Sequence, residues 1–180
     1  MSRVADMSIP LVPPGEHLTT AFTVLLVVHI LAGLTGVVVG AAAALSRKRR
    51  GRHPRFGTVY YVSASVVFLT ATGMGVLRWE QDRYLVVLGT VSFAAASVGF
   101  AARKIRWAGW LGYHIGGMGL SYIVLLTAFY VDNGPRLPVW DHLPTLAYWT
   151  VPSLIGIPLV IRAMRRYMPR NRGLRTSQES

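Results

Sequence analysis

The chain has no cysteine. That excludes disulfides, thiolate-held iron–sulfur clusters and covalent c-type haem attachment. Charge is scarce as well: charged residues fill 14% of the 180 positions, against about a quarter in an ordinary soluble domain. No H-E-x-x-H helix, phosphate-binding glycine loop or nucleophile–base–acid set can be assembled. There is no convincing internal repeat of the kind that builds inverted-repeat transporters. No basic stretch precedes the first apolar run, which speaks against a cleaved signal peptide.

What the chain does have is long stretches without Asp, Glu, Lys or Arg. They are His17–Ser46, Phe56–Leu77, Tyr84–Ala102, Trp107–Val131 and His142–Ile161. A helix rises about 1.5 Å per residue and a bilayer core is about 30 Å thick, so each stretch can cross it. A soluble bundle would place charges on its outer faces every turn or so. The spacing predicts an all-α integral membrane protein with five transmembrane helices, at about 20–45, 57–77, 84–102, 107–131 and 143–162. Residues 1–18 read as an extracytoplasmic segment, 19–164 as the transmembrane domain and 165–180 as a basic tail. No carboxylate lies inside the five spans, which argues against a carboxylate-based ion pump.

The net charge of +12 follows from the same arrangement. Most basic residues fall in Arg47–Arg55, Arg103–Arg106 and Arg162–Arg175. These are alternate connections, so they share one side. The positive-inside rule makes that side the cytoplasm. The N-terminus is then outside, the C-terminus inside, and the expected home is a bacterial cytoplasmic membrane. Arg47–Arg55 and Arg162–Arg175 are expected to hold anionic lipid at about 1 kcal/mol per residue near the surface. Nucleic acid is not an expected partner. Small-residue ladders such as Gly36, Gly40 and Ala44 suit close packing, in a homo-oligomer or against another membrane protein.

Two histidines fall inside spans, His29 and His114. A histidine at membrane depth is costly without a partner. His29, Gly33, Gly36 and Gly40 share a helix face, which turns His29 inward. Measured from the ends of their runs, His29 lies roughly 15 Å deep from one side and His114 roughly 10 Å from the other. That places them about 5 Å apart along the bilayer normal. Three readings follow. The pair could ligate a b-type haem, with Gly33, Gly36, Gly112, Gly116 and Gly117 making room. It could form a polar or proton-handling site with Met118, Ser121 and Tyr122, where a quinone accepts a bond. Or each ring could bond a neighbouring helix and do no more. No other metal site is expected, because two ligands are few for zinc.

Other features are secondary. His53 reads as a solvated or phosphate-facing loop residue beside Pro54. Tyr60 and Tyr61 suit an inner interfacial belt. Pro152 and Pro158 are expected to kink the fifth helix. The outer loop gathers Asp132, Asn133, Trp140, Asp141 and His142, a second candidate site.

The segments VHILAGLTG, HPRFGTVYY, HIGGMGLSYIVLLTAFYVDNGP and WTVPSLIGIP together resemble the DUF2306-like proteins. These are prokaryotic polytopic membrane proteins grouped as a domain of unknown function. The resemblance spans helices one to five and implies a multi-helix membrane fold. The loop departs from the family's His-Arg-x-x-Gly-Arg pattern, with Pro54 after His53 and Thr58 after Gly57. The expected function is a small membrane redox or cofactor-binding protein using His29 and His114. The alternative is a non-catalytic module for partner assembly or small-solute passage.

Overall fold

The computed structural model describes residues 14–46 and 51–168. The N-terminal residues before Pro14, basic residues 47–50 and residues 169–180 lie outside the described residues. So do the lipid contacts expected of those basic positions. Five α-helices make up the described chain: α1 Pro14–Leu45, α2 Arg52–Leu77, α3 Trp79–Ile105, α4 Trp110–Asn133 and α5 Thr145–Tyr167. Two 3-10 turns, Gly134–Arg136 and Trp140–His142, link α4 to α5. All five helices are long and apolar enough to cross a membrane.

The helices overshoot the uncharged runs, and the reasons are local. α3 begins at Trp79 rather than Tyr84, with Glu80 and Asp82 in its first turn and Arg103 and Lys104 in its last. Those signs complement the helix dipole, so charged residues extend the helix instead of ending it. α2 begins at Arg52, not Gly57, and therefore takes in His53 and Pro54. Proline is tolerated in a first turn because its missing N–H would have no helical partner there. α4 starts later than expected. Arg106 and Gly109 both adopt left-handed backbone, with φ of 58° and 74°, and they break the chain between α3 and α4. α1 reaches back to Pro14, five residues into the stretch read as a separate segment. α5 runs without interruption through Pro152 and Pro158 to Tyr167.

Consecutive helices pack side by side, and α1 also touches α4. Helices α1–α4 thus close into a four-helix bundle, and α5 lies against the outside of α4. α2 has the longest buried stripe: Gly57, Tyr60, Ser63, Ala64, Val67, Thr70, Ala71, Met74 and Gly75. Their spacing of three and four places them on one face. Apolar residues facing outward, such as Leu69, Val76, Leu154 and Leu159, suit a lipid surround.

Two glycine contacts set the closest approaches. At Gly117, an added Cβ would stand 2.7 Å from the Ala95 carbonyl oxygen and 2.8 Å from the Gly99 nitrogen. Those are backbone atoms, so α3 and α4 meet main chain to main chain at Gly99 and Gly117. At Gly40, any side chain would run into the ring of Tyr122. The ladder on α1 is thereby confirmed at Gly36 and Gly40. Its third buried member is Ala43, while Ala44 is exposed. Polar side chains are also accounted for. Thr23, Thr35, Ser65, Thr72 and Thr127 each donate to the carbonyl four residues earlier. No buried side-chain nitrogen or oxygen among the described residues lacks a partner.

Candidate functional site

The polar groups inside the bundle fall at three levels. The end that carries Arg52, Arg55, Arg103, Lys104 and Arg106 is here called the basic end. The end with Glu80, Asp82, Asp132 and Asp141 is the acidic end.

At the basic end, α2 and α4 bring His53 and His114 together. Their ring centroids are 6.1 Å apart and their planes stand at 86°. The His53 Nδ1 donates to the Ala43 carbonyl on α1 at 2.9 Å. The His114 Nδ1 donates to the Gly99 carbonyl on α3 at 2.8 Å. A carbonyl oxygen can only accept, so both rings carry a hydrogen on Nδ1. A neutral imidazole then keeps its lone pair on Nε2. Trp110 lies beside His114, with centroids 6.5 Å apart, and the Arg106 guanidinium sits 5.7 Å above the Trp110 ring. Gly57 is buried one turn beyond His53, and an added Cβ there would meet nothing within 4 Å.

The centre is a hydrogen-bonded knot. Tyr60, 2% exposed, places its hydroxyl 2.8 Å from that of Ser121, which is fully buried. Ser92 donates to the Ser121 carbonyl at 2.9 Å, and its hydroxyl lies 3.2 Å from the Ser121 hydroxyl. Tyr122 donates across the bundle to the Val37 carbonyl at 2.9 Å. Met118 packs against the Tyr60–Val67–Leu125 core. Ser121, Tyr122 and Met118 are therefore brought together around Tyr60, and Met118 also packs against Gly99, whose carbonyl accepts the His114 bond. Tyr60 is not an interfacial-belt residue. It lies on α2's buried stripe, whereas Tyr61, on the next face, stacks on Phe100 at 4.3 Å.

At the acidic end, His29 is half-buried and bonds Thr70 on α2, Nδ1 to Oγ1, at 2.9 Å. The Thr70 hydroxyl donates to the Val66 and Val67 carbonyls at 2.7 and 3.1 Å. Its oxygen is thus the acceptor, and His29 too carries its hydrogen on Nδ1.

His29 and His114 do not meet. His114 is level with His53, and His29 with Thr70, roughly 17 residues further along α2. At 1.5 Å per residue that is about 25 Å. The shared depth expected of the pair came from measuring inward from the ends of uncharged runs. α1 overshoots its run and α4 begins inside its own, so those ends are not a common plane. The glycines expected to admit a porphyrin between the pair are also mostly filled. Gly36 faces Leu125 and Ser63, Gly112 faces Met168, Gly116 faces Met164, and Gly117 faces α3. Only Gly33 of that set opens onto space.

The outer loop is a cap built on aromatic stacking. Trp140 stacks on Tyr130 at 3.8 Å, and Tyr148 donates to the Trp140 carbonyl at 2.9 Å. Gly134 fits against the Tyr148 ring. Asn133 donates to the Phe129 carbonyl at 3.0 Å, and Arg136 to the Asp132 carbonyl at 3.2 Å. Asp141 and His142 lie exposed, 3.6 Å apart. The five loop residues do not converge on one point. Trp140 and Asn133 serve the loop's own structure.

Among the described residues no group of three or more His, Asp or Glu could hold a metal ion. The arrangement that can do chemistry is the His53–His114 pair, two imidazoles fixed in one tautomer and set ring to ring. Sequence reasoning had His114 but placed His53 in a loop. The available signal was that His53, Gly57 and Tyr60 continue the α2 stripe at helical spacing. Comparison of the chain with protein-family models, with curated proteins and with solved structures finds no match.

Proposed function

We propose that this is a small redox or cofactor-binding protein of the bacterial cytoplasmic membrane, with its basic end in the cytoplasm. Its ligand is held at that end by His53 and His114, not at mid-depth by His29 and His114. A b-type haem or a quinone is the class of group in question. The observation that carries the reading is the ring pair at 6.1 Å, with each Nδ1 tied to a main-chain carbonyl of a different helix. Two half-buried rings, each oriented by a carbonyl of a separate helix, are more than packing requires. A likeness to the DUF2306-like membrane proteins would add only the multi-helix fold.

The chain's interior does not favour passage of protons from end to end. Val67 and Leu125 fill the bundle between the Tyr60–Ser121 knot and the His29–Thr70 bond. The absorption spectrum and bound quinone of protein extracted from membranes test the proposal. A bound group is expected in the native chain, lost in His53→Ala and His114→Ala and kept in His29→Ala. Protein that carries nothing, or variants that all retain it, would overturn the reading.

A second reading has its own support. Gly99, Gly117 and Gly40 are consumed by close helix contacts, as in a module whose task is to pack. Undiminished cellular function in a His53→Ala/His114→Ala double variant would select it.

A further inference from the structure

The turn between α3 and α4 carries cations that the described protein does not neutralise. Arg103, Lys104 and Arg106 stand there, Arg103 half-buried and the other two exposed. No described carboxylate lies within ion-pair distance of any of them. The two ion-pair contacts of the described residues, Arg83–Glu80 and His142–Asp141, are both at the acidic end. Aromatic rings hold two of the three cations instead. The Lys104 ammonium lies 5.5 Å from the centre of the Phe100 ring, and the Arg106 guanidinium 5.7 Å from that of Trp110. Such contacts fix where a cation sits without cancelling its charge.

The turn also has a defined depth. α3 and α4 are each long and apolar enough to cross a membrane, so the residues that join them stand at its surface. Trp107 and Tyr113 meet edge to face there, with ring centroids 5.8 Å apart, as suits the headgroup layer. Below the turn, Val98 and Ile105 of α3 and Tyr113 and Leu120 of α4 are exposed. Each pair is seven residues apart and so shares one helix face. On α3 that face is nearly opposite Phe93 and Phe100, which pack on Tyr61 of α2. On α4 it falls between Gly117, which faces α3, and Gly116, which faces α5. The four residues thus form an apolar strip along the outer side of the α3–α4 contact.

Positive charge at headgroup level above an exposed apolar strip is the complement of an anionic phospholipid. We infer that the α3–α4 turn is a docking site for one such lipid. Its phosphate lies among Arg103, Lys104 and Arg106, and an acyl chain follows the strip. An acidic protein segment would satisfy the cations and leave the strip unused. The described acids all lie at the other end, so no carboxylate opposes the headgroup. Each cation near an anionic surface is worth roughly fivefold in binding, so three together can favour an anionic over a zwitterionic lipid by up to about a hundredfold. The site needs neither His53 nor His114.

The test titrates the full chain in detergent micelles with phosphatidylglycerol carrying brominated acyl chains, and separately with the matching phosphatidylcholine. Bromine quenches nearby tryptophan, and Trp107 and Trp110 stand at the turn, so saturable quenching reports the site. The native chain is expected to bind phosphatidylglycerol about tenfold or more tightly. Arg103→Gln/Lys104→Gln/Arg106→Gln should bring the two lipids within about threefold of each other. Arg162→Gln/Arg165→Gln/Arg166→Gln removes the same charge from α5 at the same end and should keep the preference. Thermal unfolding checks each variant. Where the first triple variant does not fold, Arg106→Gln alone should lose about fivefold. Equal loss in the two triple variants would make the preference a matter of net charge and overturn the site. So would a native chain without preference, or a preference kept in the first variant. Displacement of the lipid by inorganic phosphate or an acidic peptide at constant ionic strength would assign the cations to another anion and overturn the lipid.

Discussion

At the scale of the residue, three histidines use the same bond and differ in what surrounds it. His29 gives its Nδ1–H to Thr70, with the Val67 main chain also beside its ring and no second imidazole in contact among the described residues. His53 and His114 give theirs to carbonyls on α1 and α3 and stand ring to ring. His29 should thus be structural: His29→Asn, which can keep a donor toward Thr70, is expected to cost under about 1 kcal/mol in detergent unfolding. Tyr60→Phe removes the phenol that meets Ser121 but leaves Ser121 bonded to Ser92. A loss of about 0.5–1.5 kcal/mol is expected by the same measurement. The inward direction of His29 was legible, because Gly33, Gly36 and Gly40 share its face. The role of His53 was not. Proline after it reads as a loop, and only the tolerance of a first turn for proline lets α2 begin before it.

At the scale of the element, uncharged runs locate the five helices and misplace their ends. Length of apolar chain is what a bilayer demands, and that is visible in sequence. Where a helix stops is settled by caps and backbone conformation. Glu80 and Asp82 prolong α3 outward, while left-handed Arg106 and Gly109 cut α4 short. Half of the α3–α4 pairing can be read from the sequence, since Ala95 and Gly99 stand at small-xxx-small spacing. Their partner Gly117 could not be chosen from five glycines in one stretch. Main-chain contact at Gly117 leaves no flexible side chain to yield. Gly117→Ala is expected to destabilise the protein by about 1–3 kcal/mol, against little change for Gly33→Ala, where a Cβ meets nothing within 4 Å. Thermal unfolding of the two variants in one detergent makes the comparison.

At the scale of the whole molecule, the separation of charge and the position of the imidazoles are one fact. The described basic residues crowd the same end as His53 and His114, so under the proposed function the side that holds a ligand follows from the positive-inside rule. The described acids gather at the far end, beyond the apolar layer of Val67 and Leu125. A reversed chain would present its ring pair to the wrong compartment. The lack of cysteine makes this orientation simple to read. Ala108, between α3 and α4, and Pro138, between the two 3-10 turns, are both exposed and lie at opposite ends. In intact cells a membrane-impermeant maleimide is expected to label Pro138→Cys and spare Ala108→Cys until the membrane is opened. The opposite pattern would place the histidine pair outside and detach it from any cytoplasmic supply of metal or haem. Equal labelling of both would mean that Arg52, Arg55, Arg103, Lys104, Arg106, Arg162, Arg165 and Arg166 at one end do not fix direction, against an energy of about 1 kcal/mol for each that sits near the anionic surface.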